Sequence, residues 1–173
     1  MNDVLDCLLT RRSIKKYTTQ PVEREKLEQI VQAGTYAANG SGIQSPIIIA
    51  VTAPAVRNEL AQLNAAVIKA QTDPFYGAPV VLCVLADRSC STRVNDGSLV
   101  IGNMLAAAHS LGLGSCWIHR AKEVFDTERG RELLAQWGLT GDYEGVGFCI
   151  IGYPDGQPPQ AKARKDHYVT WVE

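Results

Sequence analysis

Apolar residues recur at helical spacing at the start of the chain, where Val4, Leu5, Leu8 and Leu9 predict a short helix. The pattern stops in the basic tract Arg11-Arg12-Ser13-Ile14-Lys15-Lys16, so this helix delivers a charged loop. After Pro21, a charged stretch with Leu27, Ile30, Val31 and Gly34 on one face predicts a second helix, closed by the turn-forming residues Asn39-Gly40-Ser41-Gly42. The run Ile47-Ile48-Ile49-Ala50-Val51 is apolar at successive positions, which predicts a strand covered on both faces. A helix follows from Pro54 to about Gln71. Val80-Val81-Leu82-Cys83-Val84-Leu85, introduced by Pro79, predicts a second buried strand beside the first.

From Asp96 to Leu111 the chain is apolar on nearly every helical face, and such a helix must be buried all round. A second subunit packed on the small residues Gly97, Ser98, Gly102, Ala106 and Ala107 would cover it, and so would the centre of a monomeric core. Gly112 and Gly114 end this helix and lead into a third strand at Ser115-Cys116-Trp117-Ile118. A polar helix from about Asp126 to Trp137 precedes a fourth strand, Val146 to Ile151. The proline-rich tail after Tyr153 is irregular, and Tyr168-Val169-Thr170-Trp171-Val172 predicts a last strand. Interleaved helices and strands without repeats or linkers predict one α+β domain over residues 1–173.

Composition narrows the class. A chain of 173 residues, 46% hydrophobic and 20% charged, buries roughly 70% of its unfolded surface without help from disulfides or metals. Five cysteines, an odd number without a CxxC pair, read as reduced thiols rather than a zinc site. The N-terminus is acidic and amphipathic, unlike a signal peptide, and no apolar run reaches the roughly 20 residues of a membrane span. A cytoplasmic protein is expected. The net charge of -1 argues against a surface basic enough to coat nucleic acid.

That near-zero charge conceals two basic clusters. No acidic residue lies between Asp6 and Glu23, an interval holding Arg11, Arg12, Lys15 and Lys16, and Lys162, Arg164 and Lys165 follow the proline-rich loop. The planar fork of arginine matches phosphate and Ser13 adds a hydroxyl, so Arg11-Arg12-Ser13 has the chemistry of a phosphate cradle; a solvated basic loop is the simpler alternative. As an RNA-binding surface the clusters lack aromatic platforms, since only 7% of residues are aromatic and none forms a run.

Four segments occur in a telling order. They are Arg11-Arg12-Ser13-Ile14-Lys15-Lys16-Tyr17 after a short helix; Gly40-Ser41-Gly42-Ile43-Gln44 before an apolar strand; Leu111-Gly112-Leu113-Gly114-Ser115-Cys116-Trp117-Ile118; and Ile151-Gly152-Tyr153-Pro154 with a basic tail. In this order they resemble the nitroreductase family of FMN-dependent oxidoreductases. The resemblance implies an α+β fold with a mixed or antiparallel central sheet flanked by helices, and an intertwined homodimer with one FMN in each of two interface clefts. By position, Arg11, Arg12 and Ser13 would hold the flavin phosphate and ribityl chain, Lys15 the polar edge of the ring, and Lys162 and Arg164 the rest of the phosphate site. Gln44 would approach from the other subunit, and the backbone of Trp117, Ile118 and His119 would pass the ring, offering an N–H toward N5.

Two departures limit the transfer. Gly42, Ser45 and Pro46 stand where many members carry asparagine and proline-tryptophan around the glutamine, and His119 stands where glycine is frequent. Members often place a Lys or Asn of the helix before Pro79 at the flavin edge, for which Asn64 and Lys69 are both candidates.

The implied activity is reduction of FMN by NADH or NADPH, followed by reduction of a nitroaromatic, quinone or similar small acceptor in ping-pong fashion. A flavin-binding protein without turnover, serving storage or sensing, is the alternative. Cys116 beside the ring site reads as a packed strand residue rather than a nucleophile. No dinucleotide fingerprint distinguishes NADH from NADPH.

Overall fold

A computed structural model describes residues 2–173. Helix α1 (Asp3–Thr10), capped by the Asn2 side chain on the Val4 amide at 3.0 Å, leads through the basic loop to α2 (Arg24–Thr35). Strand β1 (Pro46–Val51), α3 (Pro54–Ile68) and β2 (Val80–Asp87) follow, then the long α4 (Arg93–Ser110) and β3 (Gly114–Ile118). Two short helices, α5 (Ala121–Phe125) and α6 (Glu128–Gln136), precede β4 (Tyr143–Gly152).

The four strands form one sheet in the order β1-β2-β4-β3, every neighbouring pair antiparallel. This makes the α+β expectation specific: the sheet is antiparallel, not mixed. Side chains of successive strand residues point to opposite faces, and β2 is apolar on both. Val80, Leu82, Val84 and Ala86 pack with α2 and α4 residues such as Ile30, Ile101 and Met104. Val81, Cys83 and Leu85 pack with Leu60 of α3, Phe125 of α5 and Leu133 of α6. The result is helices on both faces of a doubly buried sheet. Each fully buried aliphatic side chain adds roughly 1.5–3 kcal/mol of burial free energy.

Four expectations need correction. Strand β1 is only half-buried, because it is an edge strand whose outer side has no neighbour in this chain. The polar helix expected from about Asp126 to Trp137 is α6, but a separate turn of helix, α5, precedes it unexpectedly; the Thr127 hydroxyl accepts the Gly130 amide at 2.9 Å and starts α6 anew. Helix α4 buries one face only, leaving Val94, Leu99, Gly102 and Asn103 open. Residues 168–172 form no strand and are exposed. Helix α1 is likewise amphipathic without a buried residue: Val4, Leu5, Leu8 and Leu9 are 53–66% exposed.

The segment after α1 is stitched to the sheet at both ends. Ser13 bridges Ser115, with the Ile14 amide on the Ser115 carbonyl at 3.0 Å, and Tyr17 bridges Pro154 just beyond β4. Ile14 is buried against Gly114, where a Cβ would come within 2.9 Å of three of its side-chain atoms.

Candidate functional site

A cleft of about 540 Å³ opens where the stitched segment meets the end of β3. Ser13 and Lys15 form one side, and Cys116, Trp117, Ile118, His119 and Arg120 another. Asn64 and Ile68 of α3 and the loop containing Thr72, Asp73, Pro74 and Tyr76 complete it. A second cleft of about 360 Å³ shares Ser13 and Lys15 and extends toward Pro154 and Pro159. Ser13 and Lys15 thus stand between a groove under the start of the tail and a broader slot floored by the end of β3.

The arginines behind this strip differ. Arg12 is spent on the end of α1, its Nη1 donating to the carbonyls of Leu9 at 2.8 Å and Arg11 at 2.7 Å. Arg11 has a guanidinium nitrogen, Nη1, that is buried and has no hydrogen-bond partner among the described residues. A buried charged donor without an acceptor is costly, and an anion is the group that would satisfy it. Burial pushes the Cys149 thiol up, the neighbouring Cys116 adds to the rise, and the Arg11 charge pulls it partly back.

At the far side Asn64 is 1% exposed and its Nδ2 donates to the His119 carbonyl at 2.8 Å. This fixes the turn into α5, in which Arg120 takes a left-handed conformation at φ 76°. Of the two helix candidates Asn64 faces the cleft, whereas Lys69 ends α3 in a left-handed cap. The His119 imidazole is an exposed side chain of the wall, where a glycine would leave open space.

The loop 70–77 is held by Asp73. Its Oδ1 accepts the Phe75 amide at 2.9 Å, and its Oδ2 accepts the Gly77 amide at 2.8 Å and Arg57 Nη2 at 2.5 Å. Arg57, 8% exposed, also donates to the Ala78 carbonyl at 2.9 Å. Burial alone would raise the Asp73 pKa, but the Arg57 and amide hydrogen bonds outweigh it and hold the carboxyl below its ordinary value. A carboxyl lowered in the folded state stabilises above its unfolded pKa, and that contribution disappears as pH falls through the folded one. Urea unfolding between about pH 6 and about pH 3 should therefore lose stability that an Asp73→Asn variant, already weaker at about pH 6, loses to a smaller extent.

The remaining sequence candidates lie elsewhere in this chain. Gln44, at φ 55° with its amide on Asn39 Oδ1 at 2.9 Å, lines a separate cleft of about 370 Å³ beside β1. Its loop is held by Asp96, 3% exposed, whose Oδ1 accepts the Gly40 amide at 3.0 Å and whose Oδ2 accepts the Thr92 hydroxyl at 2.7 Å. Lys162 and Arg164 are exposed on the tail, where the Arg164 guanidinium turns back onto the Lys162 carbonyl, and neither lines the two clefts that share Ser13. The sequence reading missed Tyr76 and Arg120; the turn signature Asp73-Pro74-Phe75-Tyr76-Gly77 was the available signal for the first. Among the described residues no cluster of His, Cys, Asp and Glu could hold a metal, and no helix is long and apolar enough to cross a membrane.

The profile of the Nitroreductase family matches residues 8–74 and 69–153. The chain is 32% identical to an NADPH-flavin oxidoreductase of Vibrio harveyi, an alignment covering 98% of this chain and 73% of that protein. It is 30% identical to an FMN reductase [NAD(P)H] of Bacillus subtilis over 66% of this chain and 53% of the relative. A nitroreductase with bound FMN from Bacteroides fragilis superposes with a TM-score of 0.91 at 27% identity, covering 100% of both chains.

Proposed function

The chain belongs to the nitroreductase family, and on that premise we propose that it is an FMN-dependent oxidoreductase that takes NADH or NADPH as reductant and passes the electrons to a small acceptor such as a nitroaromatic or a quinone. The observation that carries this reading is the strip Ser13–Lys15 between two adjoining clefts, backed by the unpartnered guanidinium nitrogen of Arg11. Those residues fit a ligand that combines a flat ring with a phosphate: the Ser13 hydroxyl and the Lys15 ammonium line the cleft with the strand backbone of β3, and Arg11, two residues before Ser13 in the chain, adds an unspent planar donor.

Bound FMN supplies hydride chemistry between the nicotinamide and the acceptor, so no protein nucleophile is required. Arg11 and Ser13 hold the phosphate and ribityl chain, with Arg12 fixing the end of α1 behind them. Lys15 would hold the polar edge of the ring, where its ammonium would offset the negative charge gained on reduction. The turn at Trp117, Ile118 and His119, fixed by Asn64, would present its backbone to the ring. Buried Cys83 and Cys149, their thiols pushed up by burial, take no part.

The working unit in this proposal is a homodimer. The exposed apolar residues of α1, the open face of α4 and the outer edge of the half-buried strand β1 support it, because they are left uncovered among the described residues. Gln44 reaches the flavin of the partner subunit from its own separate cleft, and the tail brings Lys162 and Arg164 to the phosphate once the second chain supports it. All 173 residues act as one flavin-binding domain, placed in the cytoplasm in keeping with five free cysteines.

Anaerobic mixing tests the activity. The purified protein should be yellow, bleach with NADH or NADPH, and regain its colour on addition of a nitroaromatic or quinone; initial rates should give the parallel lines of ping-pong kinetics. Flavin that stays oxidised with both nucleotides would leave a storage or sensing protein.

A further inference from the structure

Phe75 and Tyr76 are adjacent aromatics with opposite fates. Phe75 is fully buried, its ring 5.2 Å from that of Phe148, while Tyr76 is 41% exposed and lines the 540 Å³ cleft. Tyr76 also has φ 52°, a left-handed conformation that is uncommon for a bulky side chain and persists only where its surroundings impose it. They do so here at several points. The Tyr76 amide donates to the Asp73 carbonyl at 3.1 Å, the amides on either side bind the Asp73 carboxylate, and Arg57 anchors that carboxylate to α3. The Lys15 ammonium lies 5.2 Å from the centre of the Tyr76 ring, on the strip that the functional reading assigns to the cofactor. A rigid mount thus carries an exposed, electron-rich ring at the cleft that Trp117, Ile118 and His119 also line, facing a cation.

We propose that Tyr76 determines acceptor specificity: its ring stacks on a flat, electron-poor aromatic acceptor, favouring planar acceptors over saturated or bulky ones. This rests on the reading of the cleft as a flavin site. The phenol face is negative and the ring of a nitro-substituted arene is electron-depleted, so the pair gains from offset stacking beyond its buried area. Fixing the ring in advance, through Asp73 and Arg57, reduces the ordering cost when the acceptor arrives.

The test uses the flavin-loaded protein without reductant, so that no turnover occurs. Binding of 4-nitrobenzoate and of cyclohexanecarboxylate, which keeps the carboxylate but has neither the aromatic ring nor the nitro group, is measured by calorimetry for the wild type, Tyr76→Phe and Tyr76→Leu. Tyr76→Phe should keep 4-nitrobenzoate affinity within about twofold, and Tyr76→Leu should lose about fivefold, with cyclohexanecarboxylate unchanged in both. Flavin affinity, read by fluorescence titration, should stay within about twofold across the series, and KM for nitroaromatics in Tyr76→Leu should rise more than kcat falls. Equal affinity of Tyr76→Leu and wild type for 4-nitrobenzoate, or an equal loss for both ligands, would overturn the role of Tyr76. Wild-type protein that binds no flavin would overturn the functional reading and this role together, whereas yellow, reducible wild type with an indifferent Tyr76→Leu overturns the role alone.

Discussion

Replacing Arg11 by methionine is expected to weaken FMN binding about a hundredfold while making the flavin-free protein more stable by about 1–2 kcal/mol. The two effects share one cause. The Arg11 Nη1 is buried without an acceptor, so the fold alone bears its desolvation, and a phosphate would relieve it. Methionine keeps an unbranched stem of similar reach and removes the charge. A hundredfold loss corresponds to about 2.7 kcal/mol, within the range for deleting one partner of a hydrogen-bonded charge pair. At this chain length the gain in the flavin-free form raises Tm by roughly 2–8 °C in a thermal melt, and fluorescence titration reads the flavin affinity. Arg12→Met should do the reverse to the flavin-free protein, because the Arg12 guanidinium already binds the Leu9 and Arg11 carbonyls at the end of α1. A flavin-free Arg11→Met protein less stable than wild type would mean that Arg11 meets an acceptor within the fold, and would remove the main support for its phosphate role.

Gly145→Ala should destabilise the protein by about 3 kcal/mol and loosen the cleft with it. A Cβ on Gly145 would lie 2.4 Å from the carbonyl carbon and oxygen of Ala121 and 2.7 Å from the Lys122 amide nitrogen. These are backbone atoms in the first turn of α5, and they have nowhere to retreat. Ala121 is fully buried, and Phe125 at the other end of α5 packs against Phe148 with ring centres 5.9 Å apart. Easing the overlap therefore moves the start of α5, and the His119–Arg120 turn that precedes it is the cleft wall held by Asn64. The measurable outcome is a Tm lower by roughly 6–12 °C together with weaker flavin binding. An alanine variant with wild-type Tm would show that β4 and α5 separate freely.

Strands β2, β3 and β4 were legible in the sequence because their apolar runs are short and bounded by Gly and Pro, and double-sided burial leaves that mark directly. The same pattern in β1 promised a burial on both faces that the described residues do not provide, because an apolar run does not say which molecule covers it, and the strand expected at residues 168–172 does not form. Helix α5 was not legible because it is only five residues long, and α6 starts anew at the Thr127 hydroxyl. At the site, Ser13, Lys15, Trp117, Ile118 and His119 do converge on one cleft, whereas Gln44, Lys162 and Arg164 stand apart from it within a single chain. Tyr76 was missed because its exposure and left-handed backbone follow from the Asp73–Arg57 anchor, a contact between loop and helix that no local pattern encodes.

The stitching of the Ser13–Tyr17 segment also sets a time order for the molecule. Ser13 bridges Ser115 and Tyr17 bridges Pro154, so the strip between the two clefts is completed only by pairings that span more than a hundred residues. Such distant pairings carry a large loop-closure cost and form after local helices. A ribosome-bound chain that has emerged only as far as α4 already displays Arg11 to Lys15, yet it lacks the β3 floor and the Pro154 seam. Flavin capture is thereby deferred until synthesis is nearly finished, and a truncated chain ending before β4 would carry the basic motif without the means to retain a cofactor.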